Sequence, residues 1–336
     1  MRYCFFACIS VLLAFSYGCQ EKKAKVYSNE FAFLDSTVTV MESELRPLEK
    51  EISQLADFTA VLFAHSDQFG KMAVREQYKK AKTGVIYRET DKEHKSSVFV
   101  SSNTPDWEEA YFQVYYTEAL DSMFSELQRK VPFISQLYFN TKLQMCRIYP
   151  PVDVLNVFDT DLDLTSFNFY YMADEVRNPG KGSKWVEDIY IDPAGRGWIL
   201  SLIHPVYYDQ ELEGVIGLDI TVNDLISRFL SYGDKRLVLI DGAGNVVAGT
   251  SEAMELLNLP PLRNHTYVQT INSDNFRKED YNLFKSKSKE VRQMISKFLL
   301  EKDNMYVLGG AHTSQEYTVL CRQMDLLNWY VLELEE

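Results

Sequence analysis

The stretch 185–225 predicts three strands joined by two turns, and the rest of the fold is arranged around it. It reads WVEDIYIDPAGRGWILSLIHPVYYDQELEGVIGLDITVNDL. The first turn, 192–197, contains a proline that presets φ and glycines that permit positive φ. A charged hairpin turn at 209–211 follows the apolar strand 198–206. The last strand, 214–220, is a nearly continuous apolar run, too short for a typical helix and rich in β-branched residues, as in a central strand.

A single acid, Asp219, interrupts this last run between Leu218 and Ile220. An acid in that place is either a solvated strand end or a ligand contact inside a cavity. Aromatic faces attract a cation and a carboxylate pairs with its charge, so an aromatic wall with an acid suits a small cation. The structural alternative is that the rings belong to the core and that Asp192 caps a turn. The residues predicted to form this pocket wall are Tyr170, Tyr171, Trp185, Tyr190, Asp192 and Asp219.

The order of these features resembles double Cache domains, the PAS-like extracytoplasmic sensor modules of bacterial receptors. The resemblance rests on Trp185, the segment 190–192 with its small turn, Ser201 ahead of Pro205, and the run 214–220. It implies an α+β fold of two stacked PAS-like (Cache) lobes with antiparallel sheets and a long N-terminal helix. It also implies that the membrane-distal lobe binds the ligand.

The resemblance further implies how a ligand is held. In amino-acid-sensing members, an Arg and a Trp hold the ligand carboxylate, and a later Tyr and a final Asp hold its ammonium. Tyr190 and Asp219 match the ammonium half, but the segment 168–171 reads NFYY, without the Arg and with Tyr in place of Trp. The bidentate carboxylate clamp is therefore incomplete. The ligand is either an amine without a carboxylate or something unrelated; if amino acids bind, another cation replaces the Arg. The candidate cations are Arg147, Arg177 and Arg196.

The first segment of the chain predicts export. Arg2 precedes an apolar run over 3–17, and Cys19 follows a glycine and precedes a polar run, as in a bacterial lipoprotein signal. This pattern predicts a signal peptide over 1–18, lipidation of Cys19, a tether over 19–29 and a lipid-anchored, extracytoplasmic location, periplasmic or at the outer surface. The alternatives are an ordinary signal peptide with an incidental cysteine, or an uncleaved N-terminal anchor.

A long N-terminal helix is assigned to 30–82, because apolar residues recur at spacings of three and four. Its stripe comprises Phe31, Leu34, Val38, Met41, Leu45, Leu48, Ile52 and Leu55. Pro47 within it predicts a kink or a restart. The stripe serves either a homodimer, an option that the resemblance raises, or the chain's own sheet. We expect the latter, since one stripe can serve a core without a partner.

Two lobes follow the helix: a membrane-distal, ligand-binding lobe over 83–230 and a membrane-proximal lobe over 231–336. In the distal lobe we expect a helix over 106–129 and a hairpin that turns at Asn140-Thr141. In the proximal lobe we expect strands on both sides of the turn 241–245 and a helix over 280–300. The sequence stops at Glu336 without a signalling module, so we expect a separate membrane partner to relay any signal.

Charge and motifs exclude several functions. The formal net charge of −13 argues against nucleic acid as a partner. The five histidines are scattered, and no P-loop, GxGxxG, GxSxG or HExxH motif occurs, so we predict no cofactor, no metal site and no catalytic residue. The predicted function is a small-molecule-binding sensor lipoprotein. The alternative is a scaffold or assembly lipoprotein whose lobes bind protein, which an enclosed cavity beside Asp219 would disfavour.

Overall fold

The computed structural model describes residues 30–88, 95–260, 278–309 and 316–336. The chain forms two antiparallel sheets beside a long N-terminal helix, so the predicted α+β fold class is confirmed. The predicted signal peptide, Cys19 and the tether lie outside the described residues. None of the helices in these ranges has both the length and the apolar character that a membrane crossing requires.

The described helices and strands are as follows. The helices are α1 (Ala32–Ala64), α2 (Ser66–Met72), α3 (Trp107–Tyr116), α4 (Leu120–Lys130), α5 (Val154–Val157), α6 (Asn168–Tyr171), α7 (Val222–Leu225), α8 (Ser251–Leu256) and α9 (Lys289–Leu299). The strands are β1 (Tyr78–Lys80), β2 (Ile86–Arg88), β3 (Ser97–Val100), β4 (Gln136–Thr141), β5 (Met145–Tyr149), β6 (Lys184–Ile191), β7 (Trp198–Tyr208), β8 (Glu211–Thr221), β9 (Leu237–Asp241), β10 (Val246–Gly249), β11 (Met305–Gly309), β12 (Glu316–Gln323) and β13 (Trp329–Glu335).

Helix α1 buries its predicted stripe within the chain. Seven stripe residues are buried, and Val38 packs half-buried against the same core. That core joins both sheets, since it includes Leu218 of β8 and Val331 of β13. The helix continues through Pro47 without a restart, so of the two predicted effects only a kink stays a prediction, and the helix ends at Ala64 rather than near residue 82. The stripe thus packs on the chain's own sheets, and homodimerisation stays a prediction.

The larger sheet has eight strands in the order β1-β2-β3-β5-β4-β8-β7-β6. The predicted turn at 209–211 is confirmed: Asp209 and Gln210, with φ of 47° and 69°, join β7 to β8. The turn predicted at Asn140-Thr141 is wrong, because both residues belong to β4 and pair with β8. Strand β4 lies between β5 and β8 in the sheet and extends to Thr141, so the chain turns only after that residue.

The smaller sheet has five strands in the order β10-β9-β13-β12-β11. Two predicted helices are shorter than expected. A 3₁₀ turn at Thr117–Ala119 divides the helix expected over 106–129 into α3 and α4. The helix expected over 280–300 begins only at Lys289, where the Ser288 hydroxyl accepts a hydrogen bond from the Val291 amide and caps the first turn. The lobe boundary near residue 231 stays a prediction.

The two faces of the larger sheet pack against different partners. Side chains on one face, such as those of Leu202 and Leu218, share a core with α1 and α4. Side chains on the other face, such as those of Ile203 and Val215, face the connection between β5 and β6 and share a core with Phe158. The alternation along each strand therefore creates two separate interiors, and the candidate site lies in the second.

Candidate functional site

A small cavity lies between the larger sheet and the β5–β6 connection. Its volume is about 30 Å³, which is room for about one water molecule. The lining residues are Gln136, Tyr138, Asn140, Cys146, Ile148, Phe158, Leu162, Leu164, Phe167, Phe169, Tyr190, Asp192, Pro193, Ala194 and Asp219. Among these described lining residues none is Lys, Arg or His, so the wall carries carboxylates without a cation.

Asp219 is held at the centre of three strands. Its cross-strand partners are Gln136 on β4 and Ser201 on β7, so the three side chains project from one face. Ser201 Oγ donates to Asp219 Oδ1 (2.5 Å), and Gln136 Nε2 donates to Oδ2 (3.1 Å). The Tyr190 hydroxyl lies 2.6 Å from Ser201 Oγ, so the two hydroxyls share a hydrogen bond and Tyr190 joins the network of Asp219. Asp219 is 1% exposed, which excludes a solvated strand end.

Asp192 lines the same cavity and also caps the turn after β6. Its Oδ1 accepts from the Ala194 amide (2.9 Å), and its Oδ2 accepts from the Arg196 amide (3.1 Å). Gly195 and Gly197 in this turn have φ of +88° and +93°, a region that glycine tolerates without strain. The turn therefore fixes a second buried carboxylate at the cavity while satisfying it with neutral donors.

Both acids resist ionisation. Burial raises the pKa of Asp219 well above its ordinary value, and the charge of Asp192 raises it further, against the hydrogen bond from Ser201. Burial also raises the pKa of Asp192, although the amides of Ala194 and Arg196 act in the other direction. A cation placed between them would favour their charged forms, so the site is suited to a positively charged group.

Two further polar residues of β4, Tyr138 and Asn140, line the cavity. The buried Tyr138 hydroxyl lies beside the hydroxyls of Ser201 and Tyr190, whereas Asn140 Oδ1 accepts no hydrogen bond within the described residues although Asn140 is 3% exposed. The Tyr138 ring lies over Gly217, where an added Cβ would come within 1.9 Å of Tyr138 Cζ. Unpaired buried polar groups are rare in folded proteins, so Asn140 Oδ1 is open to a partner, either a water held in the cavity or a ligand.

The structure brings together only part of the predicted pocket wall. Tyr190, Asp192 and Asp219 line the cavity. Tyr170 is buried in the same interior but does not line it. Trp185 belongs to the core on the α1 side, where its Nε1 donates to Glu49 Oε1 (3.1 Å). Tyr171 is 39% exposed at the surface. The roles of all six residues in binding stay predictions.

Several lining residues were missed in the sequence. Gln136, Tyr138 and Asn140 place polar groups at alternate positions of β4, and Ser201 lies opposite Asp219 on β7. This alternation of polar residues could have been recognised in the sequence, because polar groups on one face of a buried strand need hydrogen-bond partners. The rings of Phe158, Phe167 and Phe169 had no such signal, since they come from an irregular connection.

The three candidate replacements for the missing clamp arginine lie in different places. Arg147 is fully buried on the α1 side, where it pairs with Asp121 (2.9 Å). Arg177 is exposed and pairs with Asp174. Arg196 lies nearest the site, since its Nε donates to Gln136 Oε1 (2.8 Å), while Gln136 in turn donates to Asp219. Arg196 therefore contacts the acid only through an intervening amide, although its positive charge counteracts the rise in the pKa of both Asp219 and Asp192.

The chain is similar in sequence to one known family over part of its length. The GAPES1 family, described as a Gammaproteobacterial periplasmic sensor domain, matches residues 141–239, which include Asp192 and Asp219. This is a sensor-domain family and not an enzyme family, and a periplasmic domain agrees with an extracytoplasmic location. No curated protein matches the chain in sequence.

Solved structures are similar over nearly the whole chain. The ligand-binding domain of the Pseudomonas fluorescens chemoreceptor CtaA, in complex with L-isoleucine, has a TM-score of 0.51 at 13% identity, covering 96% of this chain and 95% of that one. Its complex with L-alanine has a TM-score of 0.50 at 15% identity, with 92% and 96% covered. The extracellular domain of the putative histidine kinase soHK1S-Z6 has a TM-score of 0.52 at 11% identity, with 94% and 96% covered. The resemblance to double Cache domains is thus confirmed at the level of the fold.

Proposed function

We propose that the protein is an extracytoplasmic sensor that binds a small amine in the cavity of its eight-stranded lobe. In this proposal the ligand's ammonium lies against Asp219 and Asp192, and the protein is anchored by a lipid on Cys19. A separate membrane protein receives the signal. The observation that carries the proposal is a buried carboxylate, Asp219, at a cavity whose described lining residues include no cation.

The electrostatics of the site support an amine over an amino acid. Two acids with raised pKa values face the cavity, and a bound ammonium stabilises their ionised forms. A ligand carboxylate in the same space would meet two like charges and no paired arginine. Arg196 is already engaged with the Gln136 side chain (2.8 Å) and the Pro150 carbonyl (3.4 Å).

An organic ligand fits the cavity only if the wall moves outward. A volume of about 30 Å³ holds about one water, so an organic ligand requires the wall to move outward. The movable wall is the β5–β6 connection, which contributes Phe158, Phe167 and Phe169 without strand pairing. Ligand binding in this proposal opens that connection away from the sheet.

Contacts at β6 offer a route from the cavity to the smaller sheet. The register of β6 against β7 shifts between Val186 and Tyr190, and Glu187 lies in this bulge. Glu187 Oε2 accepts from the Asn328 amide (3.1 Å), and its carbonyl accepts from Trp329 Nε1 (3.3 Å). Because Tyr190 at the other end of the bulge joins the Asp219 network, displacing it would shift these contacts.

A thermal-shift screen with amines, amino acids and small carboxylates tests the proposal. A true ligand at about 100 times its Kd should stabilise the fold by about 2.7 kcal/mol. Asp219→Asn keeps the shape of the side chain. It should weaken the binding of an amine by about 2–5 kcal/mol, because it removes the charge partner of a buried ammonium. Asp234→Asn, at an exposed acid, is the matched control. Equal binding of an amine to parent and Asp219→Asn would show that Asp219 is structural.

A further inference from the structure

Asn140 marks the end of the cavity opposite to the acids. It lies on β4 four residues beyond Gln136, whose cross-strand partner is Asp219. A strand rises about 3.3 Å per residue, so roughly 13 Å of β4 separates the two positions. Residues at both positions line the cavity, so a ligand that widens it along β4 would reach both. Tyr138 lies between them on the same face of β4 and also lines the cavity.

The cross-strand partner of Asn140 on β5 is the buried residue Cys146. Other residues that line the cavity include Cys146, Leu162 and Leu164. Burial raises the pKa of the Cys146 thiol, so this end carries no thiolate. Asn140 Oδ1 has no hydrogen-bond partner in the described part of the chain, although the side chain is 3% exposed. Leaving a buried amide oxygen unpaired is unfavourable, so the position is open to a partner, which is a water in the ligand-free protein or a polar group of a bound ligand.

We propose that Asn140 forms a second, uncharged subsite, so that the ligand is an elongated amine whose far end carries a neutral hydrogen-bonding group such as a carboxamide. This inference rests on the proposed function, which supplies the ammonium at Asp219. An amide side chain both donates and accepts, and it therefore pairs with a carboxamide through two hydrogen bonds. A carboxylate at that end would be buried without a cation.

The separation of the two ends sets the length of the ligand. Subtracting a hydrogen bond of about 3 Å at each end from the roughly 13 Å of strand leaves roughly 7 Å. A saturated chain of four or five carbons between nitrogen and amide has this length. The matched probes are 5-aminopentanamide, pentylamine, which lacks the second polar group, and 5-aminopentanoate, which carries a carboxylate there.

Calorimetric titration of the parent protein and Asn140→Leu with the three probes tests the inference. Leucine has a similar shape and removes an unpaired buried amide, so the variant should fold with an equal or higher Tm. In the parent, 5-aminopentanamide should bind at least about tenfold more tightly than pentylamine and 5-aminopentanoate, because a site that pairs a polar group rejects analogues without it. In Asn140→Leu the amide should lose this advantage over pentylamine.

Three outcomes would overturn the inference. Pentylamine binding as tightly as 5-aminopentanamide to the parent would show that the second subsite is absent. Tighter binding of 5-aminopentanoate than of 5-aminopentanamide would show that the far end of the site favours a negatively charged group. Failure of all three probes to bind would exclude this ligand class. Asp219→Asn separates the two proposals, since it should weaken pentylamine and the amide alike, whatever Asn140 does.

Discussion

The two faces of the larger sheet each bury charged residues, but they treat the charges differently. On the α1 side, Asp121 lies 2.8 Å from Arg88 and 2.9 Å from Arg147, so the acid is paired. Arg147 also donates to the Thr117 hydroxyl (3.2 Å). On the other side, the hydrogen-bond donors to Asp219 are neutral, and Arg196 is joined to it only through Gln136.

The difference is reflected in the acidity of the two carboxyls. Burial raises the pKa of Asp121, but the charges of Arg147 and Arg88 outweigh burial and hold the pKa below its ordinary value. Burial raises the pKa of Asp219, and Asp192 adds to that effect. A buried acid that is paired with arginines of its own chain stabilises the structure. A buried acid that is not paired with a cation is available to a positively charged ligand. The α1 side is thus structural, and the cavity side is the candidate site.

Neutralising the two acids in turn gives the largest expected contrast. Asp121→Asn leaves two buried arginines without their acid and should lower the free energy of unfolding by about 3–5 kcal/mol. Asp219→Asn relieves a buried carboxylate that lacks a cation, so its free energy of unfolding should be equal to or above that of the parent. Urea titration measures both. A free energy of unfolding for Asp121→Asn within about 1 kcal/mol of the parent value would contradict the structural role of Asp121.

The two acids should also give opposite dependences of stability on pH. The pKa of Asp219 is raised in the folded state, so its contribution to stability is present below pH 4 and is lost as pH rises through the folded pKa. The pKa of Asp121 is lowered, so its contribution is present above pH 4 and is lost as pH falls through the folded pKa. Asp219→Asn should therefore remove a decline with pH of up to about 1.4 kcal/mol per unit. Parallel pH curves for parent and variant would contradict the raised pKa.

A smaller effect is expected where β6 meets the smaller sheet. Glu187→Ala removes the acceptor for the Asn328 amide and should lower the free energy of unfolding by about 0.5–1.5 kcal/mol. If the bulge carries the signal, hydrogen exchange at 324–329 should respond to a bound amine in the parent and not in Glu187→Ala. The same response in both proteins would remove Glu187 from the proposed route.

The sequence predicted the fold better than it predicted the site. In the stretch 185–225, short apolar runs bounded by turn residues predict the strands, and the spacings of three and four in the α1 stripe predict the helix. Asp219 was predicted because one acid in an apolar strand is locally visible. Trp185 was predicted at the pocket but lies on the α1 side, since parity on β6 depends on its register with β7. The aromatic cover arises from tertiary packing of a connection, which no local pattern reveals.

The most direct test of the central claim is a crystal structure of the protein with the most stabilising amine from the thermal-shift screen. We expect the ammonium nitrogen at about 2.7–3.0 Å from a carboxylate oxygen of Asp219, with the β5–β6 connection displaced from its position in the ligand-free protein. An amine bound elsewhere, with Asp219 still held only by Ser201 and Gln136, would contradict the account.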